Sequence, residues 1–339
     1  MNKNPKVPTL EDVASYAGVS TATVSRSLNF PKQVSEKTHK IVMKSIKKLG
    51  YAPNFNAQAL AAKRTNTVGA IIPTMENAIF ARGLQAFQEE LGSVGITLLL
   101  ASSSYNSALE EKQIMTLIAR GADALLLIGH RRSPEIYKFL KKRKIPVLIA
   151  WIYNKNAEQT SIGFDNHKAI KPLVEKAIEL GHRNIGFISA PTLHNDRAEN
   201  RLNGVLATMA SSGLDPNDLK IVETPYSINN GEIAFKKLMS YKKPPTLVIC
   251  GNDVFAVGAV KYAKFAGYNV PNDVSITGFD DIELASVISP ELTTIHVPHR
   301  EMGKLAAQML VKMIKGGEVD SFELKTTLKL RRTLGAPKT

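Results

Sequence analysis

Four side chains near the start of the chain have types and spacing suited to reading base-pair edges. Thr21, Ala22, Ser25 and Arg26 stand at i, i+1, i+4 and i+5, so a helix gathers them on one face. Arg26 can offer a fork of donors to guanine O6 and N7, and Ala22 and the Thr21 methyl can pack on a thymine methyl. Val24 and Leu28 fall on another face and belong to a core. Thr9, Ser20, Thr23 and Asn29 flank the reading face and complete its candidate contacts.

The surrounding residues predict how that face is held. Thr9 followed by Asp12 has the form of a capping box, and Leu10, Val13, Ala14 and Ala17 make an apolar stripe that stops at Gly18. Ser20 is placed to cap a second helix from Thr21 to about Leu28. Ser35 is placed to cap a third, about 36–49, with Ile41, Val42, Ile46 and Leu49 as its expected buried face and Gly50 as its stop. This is a helix-turn-helix pattern. The charge agrees. Residues 1–64 hold 11 Lys/Arg against 3 Asp/Glu, a net +8, whereas the rest holds 33 against 27. A basic unit on a nearly balanced body points to nucleic acid, with a solvated basic arm as the alternative. After Pro53, Asn54 can cap an Ala-rich stretch of about two turns, too short to be a stable helix by itself in water.

From Thr67 onward the pattern becomes alternating strands and amphipathic helices. Ten apolar runs read as strands: 68–73, 96–102, 122–129, 145–152, 161–164, 184–189, 220–224, 246–251, 274–279 and 292–297. Many are continuously apolar, as in parallel strands covered on both faces, and ten are more than one sheet needs. Ligands of such sheets bind beyond the carboxyl ends of strands. Those ends hold 73–80, Ser102, Gly129-His130, Trp151-Ile152, Phe164-Asp165, 191–201, Tyr226, Asn252-Asp253 and Asp280. Carboxylates, carboxamides and arginines beside aromatic faces suit a polyol. His130, Arg131 and Arg132 read as a solvated loop, and His182-Arg183 as helix-terminus chemistry. An Arg201–Asp280 ion pair, and core packing of Phe80 and Tyr226, are the structural alternatives to ligand contact.

Composition and motifs narrow the function. The single cysteine, Cys250, excludes an internal disulfide. No apolar run reaches the ~20 residues of a membrane span, and the start has no secretory pattern, so the expectation is a soluble cytosolic protein. There is no Gly-x-Ser-x-Gly elbow, phosphate loop or His-Glu-x-x-His, so no enzyme, cofactor or metal is expected. A sugar-transport binding protein and a sugar-metabolising enzyme are the rival readings.

Thr9-Leu10-Glu11-Asp12-Val13-Ala14, Ala17-Gly18-Val19-Ser20, Thr23-Val24-Ser25-Arg26 and Gly50-Tyr51-Ala52-Pro53-Asn54 resemble the N-terminal signature of the lactose/galactose repressor family. Gly181-His182-Arg183-Asn184-Ile185-Gly186, Gly278-Phe279-Asp280-Asp281 and Leu292-Thr293-Thr294-Ile295 extend the resemblance along nearly the whole chain. It implies a helix-turn-helix headpiece at 1–53, a hinge helix and linker at 54–66, and a periplasmic-binding-protein-like body at 67–339. The body would have two doubly wound parallel-sheet subdomains, one of about 67–164 and 296–322, the other of about 165–295 and 323–339. The resemblance further implies a homodimeric repressor on a near-palindromic operator, with Asn54, Ala57 and Leu60 of the hinge at the DNA. There Leu60 would wedge into the minor groove, or else pack hinge against hinge. Arg201, Asp280 and Asn252 match ligand-binding positions, and Arg197, Asn195, Phe80 and Tyr226 match positions that contact effector in some members. Asp165, in Gly163-Phe164-Asp165-Asn166, resembles the matching stretch of gluconate-type repressors, where the first residue is usually acidic. That stretch and the arginine pair favour a sugar acid, while Gly278-Phe279-Asp280-Asp281 follows the general pattern. After Leu334 only Gly-Ala-Pro-Lys-Thr remains, so no C-terminal coiled coil is expected.

Overall fold

The structure is a computed structural model and describes residues 7–52, 64–76 and 78–338. Its contacts divide the chain into Met1–Asn66 and Thr67–Thr339. Asn54, Ala57 and Leu60 lie outside the described residues.

The first unit contains α1 (Leu10–Ala17), α2 (Thr21–Asn29) and α3 (Glu36–Leu49). Each helix starts on a side-chain cap. Thr9 and Asp12 exchange hydrogen bonds in a complete capping box, Ser20 accepts from Thr23 N, and Ser35 accepts from Thr38 N. Gly18 and Gly50 end α1 and α3 at φ 66° and 65°, a conformation that residues with a Cβ rarely adopt. Val13, Ala14, Val24 and Val42 form the buried centre, with Leu10, Ala17, Leu28, Ile46 and Leu49 around it. Ile41 differs from expectation and is 42% exposed. The buried stripe of α3 runs through Val42, Ser45, Ile46 and Leu49, and one residue of rotation, about 100°, carries position 41 out of it.

In the second unit all ten expected strands form, as β1 (Thr67–Ile72), β2 (Thr97–Ser102), β3 (Ala124–Ile128), β4 (Val147–Ala150), β5 (Ser161–Gly163), β6 (Ile185–Ser189), β7 (Lys220–Glu223), β8 (Leu247–Cys250), β9 (Ser275–Thr277) and β10 (Thr294–His296). Two short strands, β11 (Phe322–Glu323) and β12 (Thr327–Lys329), were not anticipated. β11 has only two residues, and β12, as long as β5, β9 and β10, lies among polar residues and forms no apolar run. One parallel sheet has the order β11-β5-β4-β3-β1-β2 and another β7-β6-β8-β9, while β10 pairs with β12 in an antiparallel ribbon. β11 pairs with β5, so Glu323 belongs with the first sheet. β1 and β3 are buried throughout. β2, at an edge, leaves Leu100 41% exposed, because only one neighbour covers it.

The helices of this unit are α4 (Ala78–Ser93), α5 (Ser107–Ala119), α6 (Pro134–Lys142), α7 (Asn166–Glu179), α8 (Asp196–Ser211), α9 (Ile228–Met239), α10 (Asp253–Phe265), α11 (Leu284–Val287) and α12 (His299–Ile314). The chain leaves the first sheet after β5 through α7, returns after β10 through α12, and passes from β11 to β12. Arg183 Nη1 donates to Ile178 O at 2.8 Å, near the end of α7, which is the helix-terminus chemistry expected of it. His182 instead joins Thr246 Oγ1 at 2.9 Å to Gly335 O at 2.8 Å, tying the C-terminal segment to the second sheet.

Candidate nucleic-acid interface and ligand cleft

On α2 the side chains divide as the spacing requires. Val24 is buried, while Thr21, Ala22, Arg26 and Asn29 are exposed and Ser25 is half-buried. Asn29 Nδ2 donates to Ser25 Oγ at 3.3 Å and Arg26 Nε to Ala22 O at 3.4 Å. These bonds hold the polar side chains along one stripe, and Arg26 has no carboxylate partner among the described ion pairs. Thr9, Ser20 and Thr23 are occupied in caps, Thr9 with Asp12 and Ser20 with Thr23. Their hydroxyls lie at helix starts, where backbone N–H groups can meet a phosphate.

In the body, the strand ends bring a charged cluster together between the two parallel sheets. Arg201, 7% exposed, donates from Nη1 to Asn166 Oδ1 at 2.6 Å and from Nη2 to the Tyr226 hydroxyl at 3.3 Å. Its guanidinium lies 4.8 Å from the centre of the Phe279 ring, and its Nε is buried without a partner among the described residues. Asp280 accepts from Asn252 Nδ2 at 2.5 Å. The Arg201–Asp280 pair therefore does not close directly. Each uses a neutral partner, and the field of Arg201 still acts on Asp280. Burial drives the Asp280 carboxyl up to about 7, against the opposing pull of Arg201 and Asn252. His299 Nε2 lies 3.8 Å from Asp280 Oδ1. Burial drives His299 down to about 3, so it is a neutral imidazole, and its Nδ1 accepts from Trp151 Nε1 at 3.3 Å. Cys250 is fully buried and its thiol is pushed up by burial, which leaves it unreactive.

Arg197 pairs with Asp196 at 2.9 Å. The other Asp196 oxygen accepts from His130 N at 2.6 Å and Arg131 N at 3.3 Å, so the loop after β3 docks on the start of α8. Gly129 lies where any Cβ would meet the Arg197 guanidinium and the Asp196 carboxylate. Arg132 is not solvated as expected. Its side chain is 2% exposed and pairs with Glu110 at 2.7 Å, because the polar groups of α5 and the loop fold over it.

The remaining candidates are placed less uniformly. Asn252 and Asn195 also cap α10 and α8, accepting from Val254 N and Ala198 N. Tyr226 stacks on Phe255 at 5.1 Å. Phe80 is 2% exposed and meets Trp151 edge-on at 5.3 Å, which is core packing. Asp165 caps α7 through His167 N and Lys168 N and pairs with Lys168 at 3.3 Å. None of those bonds joins it to the cluster. Asn166, Asp196, Trp151, His299 and Tyr105 were not singled out, although Trp151 and Asp196 stood among the strand-end residues. Backbone strain marks the same region. Ser104, Tyr105, Trp151, His194, Asp280 and Asp281 are non-glycine residues with φ between 50° and 110°, and all lie near strand ends, where such conformations commonly serve ligand sites.

Two family models match, the lacI family of bacterial regulatory proteins over residues 9–54 and a periplasmic binding protein-like domain over 174–334. Catabolite control protein A of Priestia megaterium is 32% identical over 313 residues, 92% of this chain and 94% of that one. The HTH-type transcriptional repressor PurR of Proteus mirabilis is 32% identical over 334 residues, 96% of each chain. Among solved structures, the lac repressor dimer bound to operator and an anti-inducer superposes with a TM-score of 0.86 at 26% identity, over 98% of this chain and all of that one.

Proposed function

The chain belongs to the lacI family of bacterial regulatory proteins, and from that premise we propose that it is a cytoplasmic, homodimeric repressor of a carbohydrate or sugar-acid utilisation operon. One α2 per subunit reads a half-site of a near-palindromic operator through Thr21, Ala22, Ser25 and Arg26, with Asn54, Ala57 and Leu60 at its centre. A small molecule held between the two parallel sheets by Arg201, Asn252, Asp280, Tyr226 and Arg197 changes the angle between the subdomains. That change alters the affinity for DNA. The body binds and does not catalyse. Asp280 and Asn252 are engaged with each other, and no nucleophile with an adjacent base stands among the cluster's described hydrogen bonds.

The observation that carries this reading is the exposed reading face of α2 in a chain whose body gathers buried charged groups between its sheets. The test begins with selection of binding sites from random duplex DNA by the full chain. The recovered operator is then titrated with and without the sugars and sugar acids that raise the melting temperature of the protein. Recovery of near-palindromic sites whose affinity changes at least tenfold with one such compound is the expected result. Sites without symmetry, or an affinity indifferent to every compound that binds, would overturn it.

A further inference from the structure

The turn after β2 holds two successive non-glycine residues in the left-handed region, Ser104 at φ 50° and Tyr105 at φ 58°. That conformation is unfavourable for side chains with a Cβ and persists only where the surroundings fix it. Here both ends are fixed. Ser103 N donates to Ile72 O at 2.9 Å and Asn106 N to Ser103 O at 2.8 Å, and Asn106 Oδ1 caps α5 by accepting from Leu109 N at 2.9 Å. The turn is a rigid mount, and it presents the ring of Tyr105.

That ring lies 5.7 Å from the ring of Tyr226, with the planes 33° apart, and Tyr226 stacks on Phe255. Tyr105 comes from the side of the first parallel sheet and the other two rings from the side of the second, so the row of rings crosses the cleft. Tyr105 is 37% exposed, and desolvation of its phenol, with Tyr226, holds its pKa above the ordinary tyrosine range against Arg197 and Arg201, so the phenol is neutral. A cavity of about 30 Å³ remains beside it, lined in part by Ser103, Arg131, Asp196 and Arg197. That is room for roughly a single water. A sugar resting on Tyr105 needs more room than this cavity offers.

We propose that Tyr105 is a ligand-contacting residue that sets the specificity of this cleft, closing over the effector opposite Tyr226 and selecting a ring-form polyol over an open-chain one. The inference rests on the effector reading given above and narrows it. An aromatic face matches the continuous apolar face of a pyranose or furanose, which an extended chain lacks. Arg201, Asn252 and Asp280 remain to receive the hydroxyl rim.

The test uses the full chain, with D-ribose, D-glucose and D-galactose as ring sugars, D-sorbitol and D-gluconate as open-chain probes, and hypoxanthine as a planar base. Binding is followed by thermal shift and calorimetry in the wild type, Tyr105→Phe and Tyr105→Asn. Asn tolerates the left-handed backbone, so the turn is kept when the ring is lost, and the ligand-free melting temperature checks the fold. At least one ring sugar binds the wild type more tightly than any other probe. Tyr105→Asn then weakens it roughly 3–10-fold, Tyr105→Phe stays within about twofold, and binding of the open-chain probes moves by less than twofold. Three results overturn the proposal: no ring sugar binding the wild type, an open-chain probe or the base binding best, or Tyr105→Asn binding the ring sugar like the wild type. If another probe class binds and alters operator affinity, the effector reading stands while the ring-form assignment falls.

Discussion

Asp280 and His299 face each other across 3.8 Å, and burial moves them in opposite directions, the carboxyl up to about 7 and the imidazole down to about 3. Both are therefore neutral over much of the acidic range. Their effects on stability have opposite signs. Asp280 holds its proton in the native state while the unfolded chain has lost it, so its contribution is full below about pH 4 and is lost as the pH rises to about 7. His299 stays neutral when folded, so its contribution is full above about pH 6.5 and is lost as the pH falls toward 3. Between about pH 4 and 6.5 the slopes of these two groups oppose each other, and Asp253, whose carboxyl burial also raises well above the ordinary range, adds a further falling slope. Asp280→Asn removes the falling slope of Asp280 alone. Relative to the wild type, this variant should gain stability as pH rises from about 4 to 7, by a few kcal/mol or several degrees of Tm. Melting curves of both proteins at several pH values check this, and a constant difference would mean that Asp280 is ionised throughout. The position of Asp280 at a strand end was legible in the sequence. Its approach to His299 was not, because the two come close only once β10 and α12 carry the chain back to the cleft.

At the scale of elements, periodicity and caps located every strand that lies in an apolar run and the three helices of the first unit. It failed where the signal was short or ambiguous. β11 has two residues and β12 lies among polar ones, and Ile41 is apolar but lies one residue off the buried stripe of α3. The site followed the same division. Residues at the ends of strands could be named, whereas Tyr105, three residues beyond β2, is placed by a strained turn that no local pattern announces. On α2 the two faces separate cleanly, and that separation is testable. Arg26 is exposed and Val24 is fully buried. Arg26→Ala should leave the melting of the first unit nearly unchanged and weaken operator binding by about 1–3 kcal/mol per half-site, with relaxed preference at one base pair. Val24→Ala should instead lower stability by about 1–3 kcal/mol through lost packing. Binding across single-base operator variants decides the role of Arg26. An equal loss on every sequence would make it a phosphate contact.

For the whole molecule, the uneven charge was visible before any fold. Residues 1–64 hold a net +8, and the remainder spreads 33 basic against 27 acidic residues over more than four times that length. Neutralising phosphates releases counterions, so the salt dependence of binding counts the phosphates touched. Not every basic side chain can contribute. Lys47 and Lys48 lie in the last turn of α3, where Lys48 lies over the Tyr16 ring at 5.1 Å, and Lys40 pairs with Glu36. If a dimer neutralises roughly 6–10 phosphates, the slope of log affinity against log salt should be about −5 to −9. Residues 67–339 form a compact unit of their own, and their surface charges act over only ~8 Å at physiological salt. That fragment should show almost no DNA binding at ~0.15 M salt. Filter binding of the full chain and the fragment, at several salt concentrations, measures both quantities. Tight and weakly salt-dependent binding by the fragment would place the DNA contacts in the body and remove the first unit from its role.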